Sequence, residues 1–283
     1  MDVWVGLDLG QLTDYSALSV MGRSLAIDAA TGLPLRTSSG DLLHRWDLVA
    51  LRRWHLGTPY TAIVKDVVRI MQRPELGREP RLVVDGTGVG VAVVEMVRTA
   101  MAKLPRVDTW AITITAGRTW SIVRYRTINC AKIELVGAVR EVLESRRLKI
   151  ARTSQGDPIP YADLLKRELV DFRVKITASA NESFEARQGA HDDLVLSVAL
   201  PIWAGTLRLM EMRQHADGDA EPLRPRERAA ISSEQEAIEE AEQEALALER
   251  GEITAKRAAL LEAERIAQEQ ELTARLWDDK YWQ

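Results

Sequence analysis

The feature that most constrains this chain is the gap between its first two apolar runs. The segment VWVGL carries a strand over residues 3–7, and a second apolar run over 15–21 begins after seven residues. A parallel crossover needs a dozen residues or more, so strands this close must pair as a hairpin. A dinucleotide-binding fold, whose first strand feeds directly into a phosphate-binding helix, is thereby excluded. The turn also places a carboxylate, Asp8, at a strand tip, where the backbone is pinned by the core while the side chain points out of the sheet edge.

The pattern beyond the hairpin predicts a mixed α/β sheet covered by helices on both faces. A variable stretch with TGLPLRTSSGD reads as a surface loop, and 44–53 as a third strand completing a meander. Pro59 opens a helix through residue 70, residues 81–84 form a continuous apolar strand, and 88–103 a helix. A strand over 109–115 and a helix over 131–145 follow, the helix turning Ile133, Leu135, Val136, Val139 and Val142 inward. A short strand over 148–150, a helix over 161–172, an extended stretch over 173–177 and an apolar helix over 192–204 complete the body. The expected organisation is one domain over 1–209, a linker over 210–225 and an acidic helical or coiled-coil extension over 226–283.

The extension differs chemically from the body. Residues 226–283 hold 15 acidic and 8 basic residues, net −7; the whole chain is −4, so residues 1–225 carry +3. The body is thus mildly basic, which permits a polyanionic partner. In the extension Ile or Ala recurs every seven residues, at 231, 238, 245, 259 and 266, with Glu252 breaking the register, as in a solvated or weakly coiled helix. The closing WDDKYWQ reads as a docking peptide or as a tail folded back on the body. Cys130 is the only cysteine, which excludes an intramolecular disulfide and a cysteine-rich zinc site. The opening apolar segment is short and holds Asp2 and Asp8, and no run of eighteen apolar residues occurs, so a cytoplasmic protein is expected.

Chemistry is carried by carboxylates at the ends of apolar elements: Asp8, Asp85 in RLVVDGTGVG, and Asp192 and Asp193 in GAHDDLVLSVAL. Each alone has an ordinary explanation. Asp8 and Asp85 suit turns, and Asp192 and Asp193 suit a helix start. Together they suit a metal site, because clustered carboxylates repel one another unless a cation lies between them. Hard oxygen donors point to Mg²⁺ or Mn²⁺, and two such ions can activate water and stabilise a leaving oxygen in phosphodiester hydrolysis. His191 is a candidate to position water or leaving group, or only a helix-start residue. Glycines 86, 88 and 90 serve the tight turn after Asp85. No GxxxxGK[ST] motif occurs in the chain. Candidate DNA contacts are Arg118, Arg124 and Arg126 in a hairpin with Trp120 and Tyr125, then Arg146, Arg147, Lys149 and Arg152, then Lys166 and Arg167; ordinary solvated surface explains each group equally well.

Five segments in order, WVGLDLGQLTDYSALSV, RRWHLGTPY, RLVVDGTGVG, INCAKIELVGAVREVLESRRLKI and GAHDDLVLSVAL, resemble the nuclease domain of phage and prophage large terminase subunits over roughly residues 1–205. The resemblance implies an RNase H-like fold and metal-dependent cutting of concatemeric viral DNA. It places the first two acidic residues at Asp8 and Asp85 and the third in HDD, without choosing between Asp192 and Asp193. Double-stranded DNA would be the substrate, and a portal, a small terminase subunit or a separately encoded packaging ATPase would be candidate partners in the host cytoplasm. A large terminase also carries a packaging ATPase with a Walker motif, which this sequence lacks; an isolated domain, a split-gene product or a shortened relative is expected. GLDLG with Thr13, and DGTGVG, also resemble the phosphate loops of sugar-kinase and actin-like ATPases, which share the strand order. A non-catalytic packaging or scaffold protein is the third reading.

Overall fold

A computed structural model describes residues 1–10, 14–28, 31–38, 40–89, 91–124, 126–153, 155–178 and 192–216, with positions 263, 266, 267, 270 and 271. His191, Tyr125, Thr13, Gly90 and, those five positions apart, the extension expected over 226–283 lie outside the described residues. The chain divides into two compact units, the first holding Met1–Arg23 and Trp46–Ala204 and the second including Ser24–Arg45.

Eight strands form one sheet: β1 (Asp2–Asp8), β2 (Ala17–Leu25), β3 (His44–Arg53), β4 (Arg81–Asp85), β5 (Asp108–Thr115), β6 (Ser121–Arg124), β7 (Thr127–Ala131) and β8 (Leu148–Ile150), in the order β6-β7-β5-β4-β1-β2-β3-β8. The expected hairpin pairs Asp8 with Ala17 and Asp2 with Arg23. β1, β4, β5 and β7 are mutually parallel, and β6 returns antiparallel on β7. Helices α1 (Tyr60–Met71), α2 (Val91–Met101), α3 (Lys132–Glu144), α4 (Ala162–Ala178) and α5 (Asp193–Ala216) complete the fold. A central β3-β2-β1-β4-β5 order with only β2 reversed against β1 and β4–β5 parallel is the RNase H-like architecture.

The continuous apolar runs of β1 and β4 are buried, as strands covered on both faces must be. Trp4 lies between Trp46 and Trp110, ring centroids 6.2 and 6.4 Å away, and anchors the start of the parallel strands. α1 buries Ile63, Val64, Val67, Ile70 and Met71, a 3.6-residue stripe.

α5 determines where the acidic motif arrives. A Cβ on Gly6 would collide with the Ser197 carbonyl, so glycine is what lets the helix lie against β1. Pro201, inside the helix, has no N–H to give the carbonyl four residues earlier; the Ser19 hydroxyl donates to that Ser197 carbonyl instead, at 2.7 Å.

Two expectations require correction. The stretch 173–177 is helical, within α4: its β-branched residues favour extension only weakly, and adding a turn to an existing helix costs little. Ile133 is half exposed, not inward; α3 starts directly at the end of β7, and its buried stripe begins at Leu135. The stretch with TGLPLRTSSGD is a half-buried to exposed loop, as expected, and isolated antiparallel bridges join Ile27 to Pro34 and Arg36 to Leu42 in the second unit.

Candidate active site

Because β1 and β4 are parallel neighbours, their C-terminal ends bring Asp8 and Asp85 to one edge of the sheet. Lys132, following β7, and Arg118, in the loop following β5, belong to the same edge. The end of β3 joins them, since the Trp54 amide donates to the Ser16 carbonyl at 2.9 Å, just before the start of β2.

Asp8 and Asp85 are 6% and 5% exposed, side by side at the ends of neighbouring strands. Burial, then repulsion from Asp85, Asp193 and Asp192, pushes Asp8 well above the usual carboxylate range. Burial raises Asp85 to about 6, against hydrogen bonds from Thr87 and the nearby Lys132 ammonium. One Asp85 oxygen accepts the Thr87 amide at 2.7 Å, so the turn-forming explanation accounts for part of its chemistry. It does not account for the burial of both carboxyls on one edge. A buried carboxyl held above its ordinary range by neighbouring carboxylates is one that a cation would return to the ionised form.

The HDD motif meets this edge through α5. The Asp192 carbonyl accepts the Leu196 amide at 2.8 Å, as at a helix N-cap, but its side chain does not cap. Oδ2 of Asp192 accepts from Lys132 Nζ at 2.7 Å, and the ammonium lies 5.7 Å from the Phe172 ring centroid. Asp193 accepts from Arg53 at 2.7 Å. The orphan amides of the helix go instead to Glu168 of α4, whose Oε2 accepts from Leu194 at 3.0 Å and Val195 at 3.3 Å. Burial raises Glu168 to about 7; Arg53 opposes the shift and Asp193 reinforces it.

Sequence reasoning missed Arg53, Lys132 and Glu168. Arg53 looked like the end of a strand, Lys132 the first turn of a helix, and Glu168 an ordinary helical glutamate. The only signal was that Arg53 and Lys132 fall at element ends that the strand order carries to this edge; Glu168, in the interior of α4, gave none. Their cations answer the expectation of an unneutralised cluster: Asp192 and Asp193 already have counter-ions. Among the described residues, no three His, Cys, Asp or Glu side chains converge closely enough to hold a metal ion. The four aspartates share an edge as a close pair, Asp8–Asp85, and two flanking ion pairs.

The basic groups separate. Arg118 is exposed on the carboxylate edge. Arg124 and Arg126 lie at the far end of β6 and β7, where Arg124 pairs with Thr127. Arg126 is ion-paired with Asp108 and lies over Trp110. Arg146, Arg147 and Lys149 stand at the start of β8, beside Trp46 and Asp47, several residues down β3 from Arg53. At about 3.3 Å per residue that is roughly 20 Å from the carboxylates. Arg147 is buried, with its guanidinium on Glu141 and Ser145, so its charge closes the end of α3. Arg146 and Lys149 are exposed. Trp120 packs edge-on against Trp203 of α5, with centroids 6.3 Å apart, and so ties the loop of Arg118 to the helix of the acidic motif.

No protein-family model matches the chain, and no curated protein sequence matches it significantly. Among solved structures, the Mn-soaked terminase nuclease domain of human cytomegalovirus is similar with a TM-score of 0.39 and 13% identity, over 72% of this chain and 82% of that one. The same domain, Mn-soaked and inhibitor-bound, gives 0.41 and 11%, over 71% and 82%. RuvC of Thermus thermophilus gives 0.36 and 13%, over 74% and 96%. These likenesses are loose, and the RNase H-like assignment stands on the strand order and directions. No described helix is long and apolar enough to cross a membrane.

Proposed function

We propose that this chain is a divalent-metal-dependent DNA endonuclease of the viral terminase type, cutting concatemeric DNA during genome packaging. The observation that carries this reading is the pair Asp8 and Asp85, both buried at the ends of adjacent parallel strands. Two such carboxylates cannot both ionise at low cost without a cation. A donor set of carboxylate oxygens suits Mg²⁺ or Mn²⁺, and Asp8, Asp85 and one aspartate of the 192–193 pair would hold one or two ions. Bound there, such ions supply a water nucleophile at neutral pH and stabilise charge on the scissile phosphate.

The chain's own groups prepare that chemistry. The Thr87 amide fixes the Asp85 carboxyl, and Glu168 fixes the start of α5. Lys132 and Arg118 place positive charge on the carboxylate edge, where it can meet the DNA backbone. Arg124, Arg146 and Lys149 would contribute phosphate contacts away from the scissile bond. His191 is assigned the positioning of water or leaving group. The acidic region 226–283 is the proposed contact for a portal, small terminase subunit or separate packaging ATPase in the host cytoplasm.

The ATPase alternative is disfavoured by Gly10. Its amide donates to the Ser16 hydroxyl at 3.1 Å and its carbonyl accepts from the Tyr60 hydroxyl at 2.9 Å, so this part of GLDLG is not free for phosphate. Supercoiled plasmid incubated with the chain and Mn²⁺ tests the reading. Nicking or linearisation by wild type, lost in Asp8→Ala and Asp85→Ala, supports it. Equal cleavage by all three sinks it, and metal-dependent ATP hydrolysis without cleavage favours the alternative.

A further inference from the structure

One row of residues runs across the sheet from the carboxylates to its open edge. Register pairs Asp85 with Ile112, Ile112 with Ile128 and Ile128 with Ile122, so all four side chains face the same side. Ile112 and Ile128 are buried, whereas Ile122, on the edge strand β6, is 54% exposed. Trp120, two residues before Ile122 and 36% exposed, is shown to share that side by its contact with Trp203 of α5. Val123, the extra residue where the β6–β7 register slips, is 58% exposed. Three strand spacings of about 4.8 Å put Ile122 roughly 14 Å from Asp85.

Large apolar side chains left open on an edge strand are a liability unless a partner covers them. The charge around this strip selects the partner. From 109 to 133 the chain holds Arg118, Arg124, Arg126 and Lys132 and no Asp or Glu. Arg126 and Lys132 are paired with Asp108 and Asp192, and Arg118, two residues before Trp120, is exposed. An apolar strip bordered by arginine suits a polyanion whose bases are uncovered: phosphate meets the guanidinium, and a base face meets the indole. A fully paired duplex offers its bases only as edges in the grooves, with no face to lay on a ring. A second copy of β6 fits less well, because the strand has four residues and the bulge at Val123 interrupts its ladder.

We propose that Trp120 and Ile122 form a binding strip for unpaired bases of the DNA strand that crosses the Asp8–Asp85 edge, so that the preferred substrate is DNA opened beside the cut. This rests on the nuclease reading, since it takes the carboxylate edge as the place of cutting. Trp120 is the stacking surface, held by Trp203 with the two rings 73° apart. Ile122 continues that surface along β6, and Arg118 supplies the phosphate contact at the carboxylate end.

The test is fluorescence anisotropy of the full chain in EDTA, so that nothing is cut, with labelled DNA as a blunt duplex, a single strand and a fork with unpaired arms. Wild type should bind the fork and the single strand about tenfold more tightly than the duplex. Trp120→Ala should weaken fork binding about tenfold and duplex binding less than about threefold, with the salt slope unchanged, because stacking releases no counter-ions. Trp120→Phe, which keeps an aromatic face, should recover most of the loss. Ile122→Ser leaves the Trp203 contact in place and should weaken fork binding about threefold with the melting temperature nearly unchanged. Equal binding of fork and duplex by wild type, or fork binding that survives both Trp120→Ala and Ile122→Ser, overturns the strip while the nuclease reading stands. Dimers that form with rising concentration and are lost in Ile122→Ser give the strip to a second copy and overturn it as well. A wild type that binds no DNA of any kind overturns both.

Discussion

β1 carries an aspartate at each end, and the fold treats the two in opposite ways. Asp2 pairs with Arg23 at 2.8 Å and Arg81 at 3.4 Å, and both guanidinium groups also lie over the Trp4 ring. Burial alone would raise the Asp2 carboxyl, but the two arginines outweigh it and hold it below the usual range. Asp8, six residues along, meets Asp85 in place of an arginine and is pushed well above that range. One strand end is solved as a stability problem, with charge matched and packed on tryptophan. The other is left electrostatically costly, which is the signature of a site kept for a ligand.

The largest effect separating the two ends is on activity. Asp8→Asn or Asp85→Asn should reduce plasmid cleavage by about a thousandfold or more, since the proposed ion loses a ligand directly. Asp2→Asn should leave cleavage near wild type. A comparable loss in Asp2→Asn would mean that both ends act through folding and would break the comparison.

Stability should move the other way. Asp2→Asn leaves two largely buried arginines short of a partner and should cost about 1–2 kcal/mol, or roughly 3–6 °C in melting temperature. Asp8→Asn should raise the metal-free melting temperature at pH 7.5 by roughly 2–5 °C, since it removes a costly carboxylate. Differential scanning calorimetry of both variants gives the two signs. Gly6→Ala is a control on the scaffold that carries the site: the collision with α5 should cost about 3 kcal/mol.

The pH dependence follows from the same asymmetry. Asp8 and Asp85 bind protons more tightly in the folded chain than their ordinary value of 3.8, with Asp85 at about 6. Their stabilising contribution is therefore full below about pH 4 and is lost as pH rises through 6 and beyond. Asp2, held low, contributes in the opposite sense, with stability present above its unfolded value and lost as the solution is acidified. Melting curves of the metal-free chain from pH 4 to 8 should show the first contribution, and it should be flattened in Asp8→Asn. Mn²⁺ should restore stability most at the alkaline end. A slope that survives Asp8→Asn unchanged would place its origin elsewhere.

The smallest expected effect concerns DNA. Arg118→Ala, on the carboxylate edge, should weaken DNA binding a few-fold and lower the salt dependence by about one unit of slope. Arg147→Ala should destabilise the fold without that slope change, because its guanidinium is spent on Glu141. Fluorescence anisotropy across a salt series separates the two.

The sheet was legible in the sequence because local patterns carried it. The short gap after Asp8 required a hairpin, and the continuous apolar run at 81–84, alternating with helices on either side, pointed to a buried parallel strand. Asp8 and Asp85 were legible as strand-end carboxylates for the same reason. What decided the rest was distance along the chain. Arg53 lies 140 residues from Asp193, Lys132 lies 60 from Asp192, and Glu168 lies 26 from Leu194. No periodicity records such pairs. Arg147 misled for the converse reason: basic residues beside one another read as surface, and only packing shows that one is turned inward onto a helix end.

The central claim is that the Asp8–Asp85 pair exists to hold a metal ion, and anomalous diffraction from Mn²⁺-soaked crystals tests it most directly. The account predicts a manganese peak between Asp8 and Asp85. A map in which manganese is absent from that position, or bound only elsewhere, would contradict it.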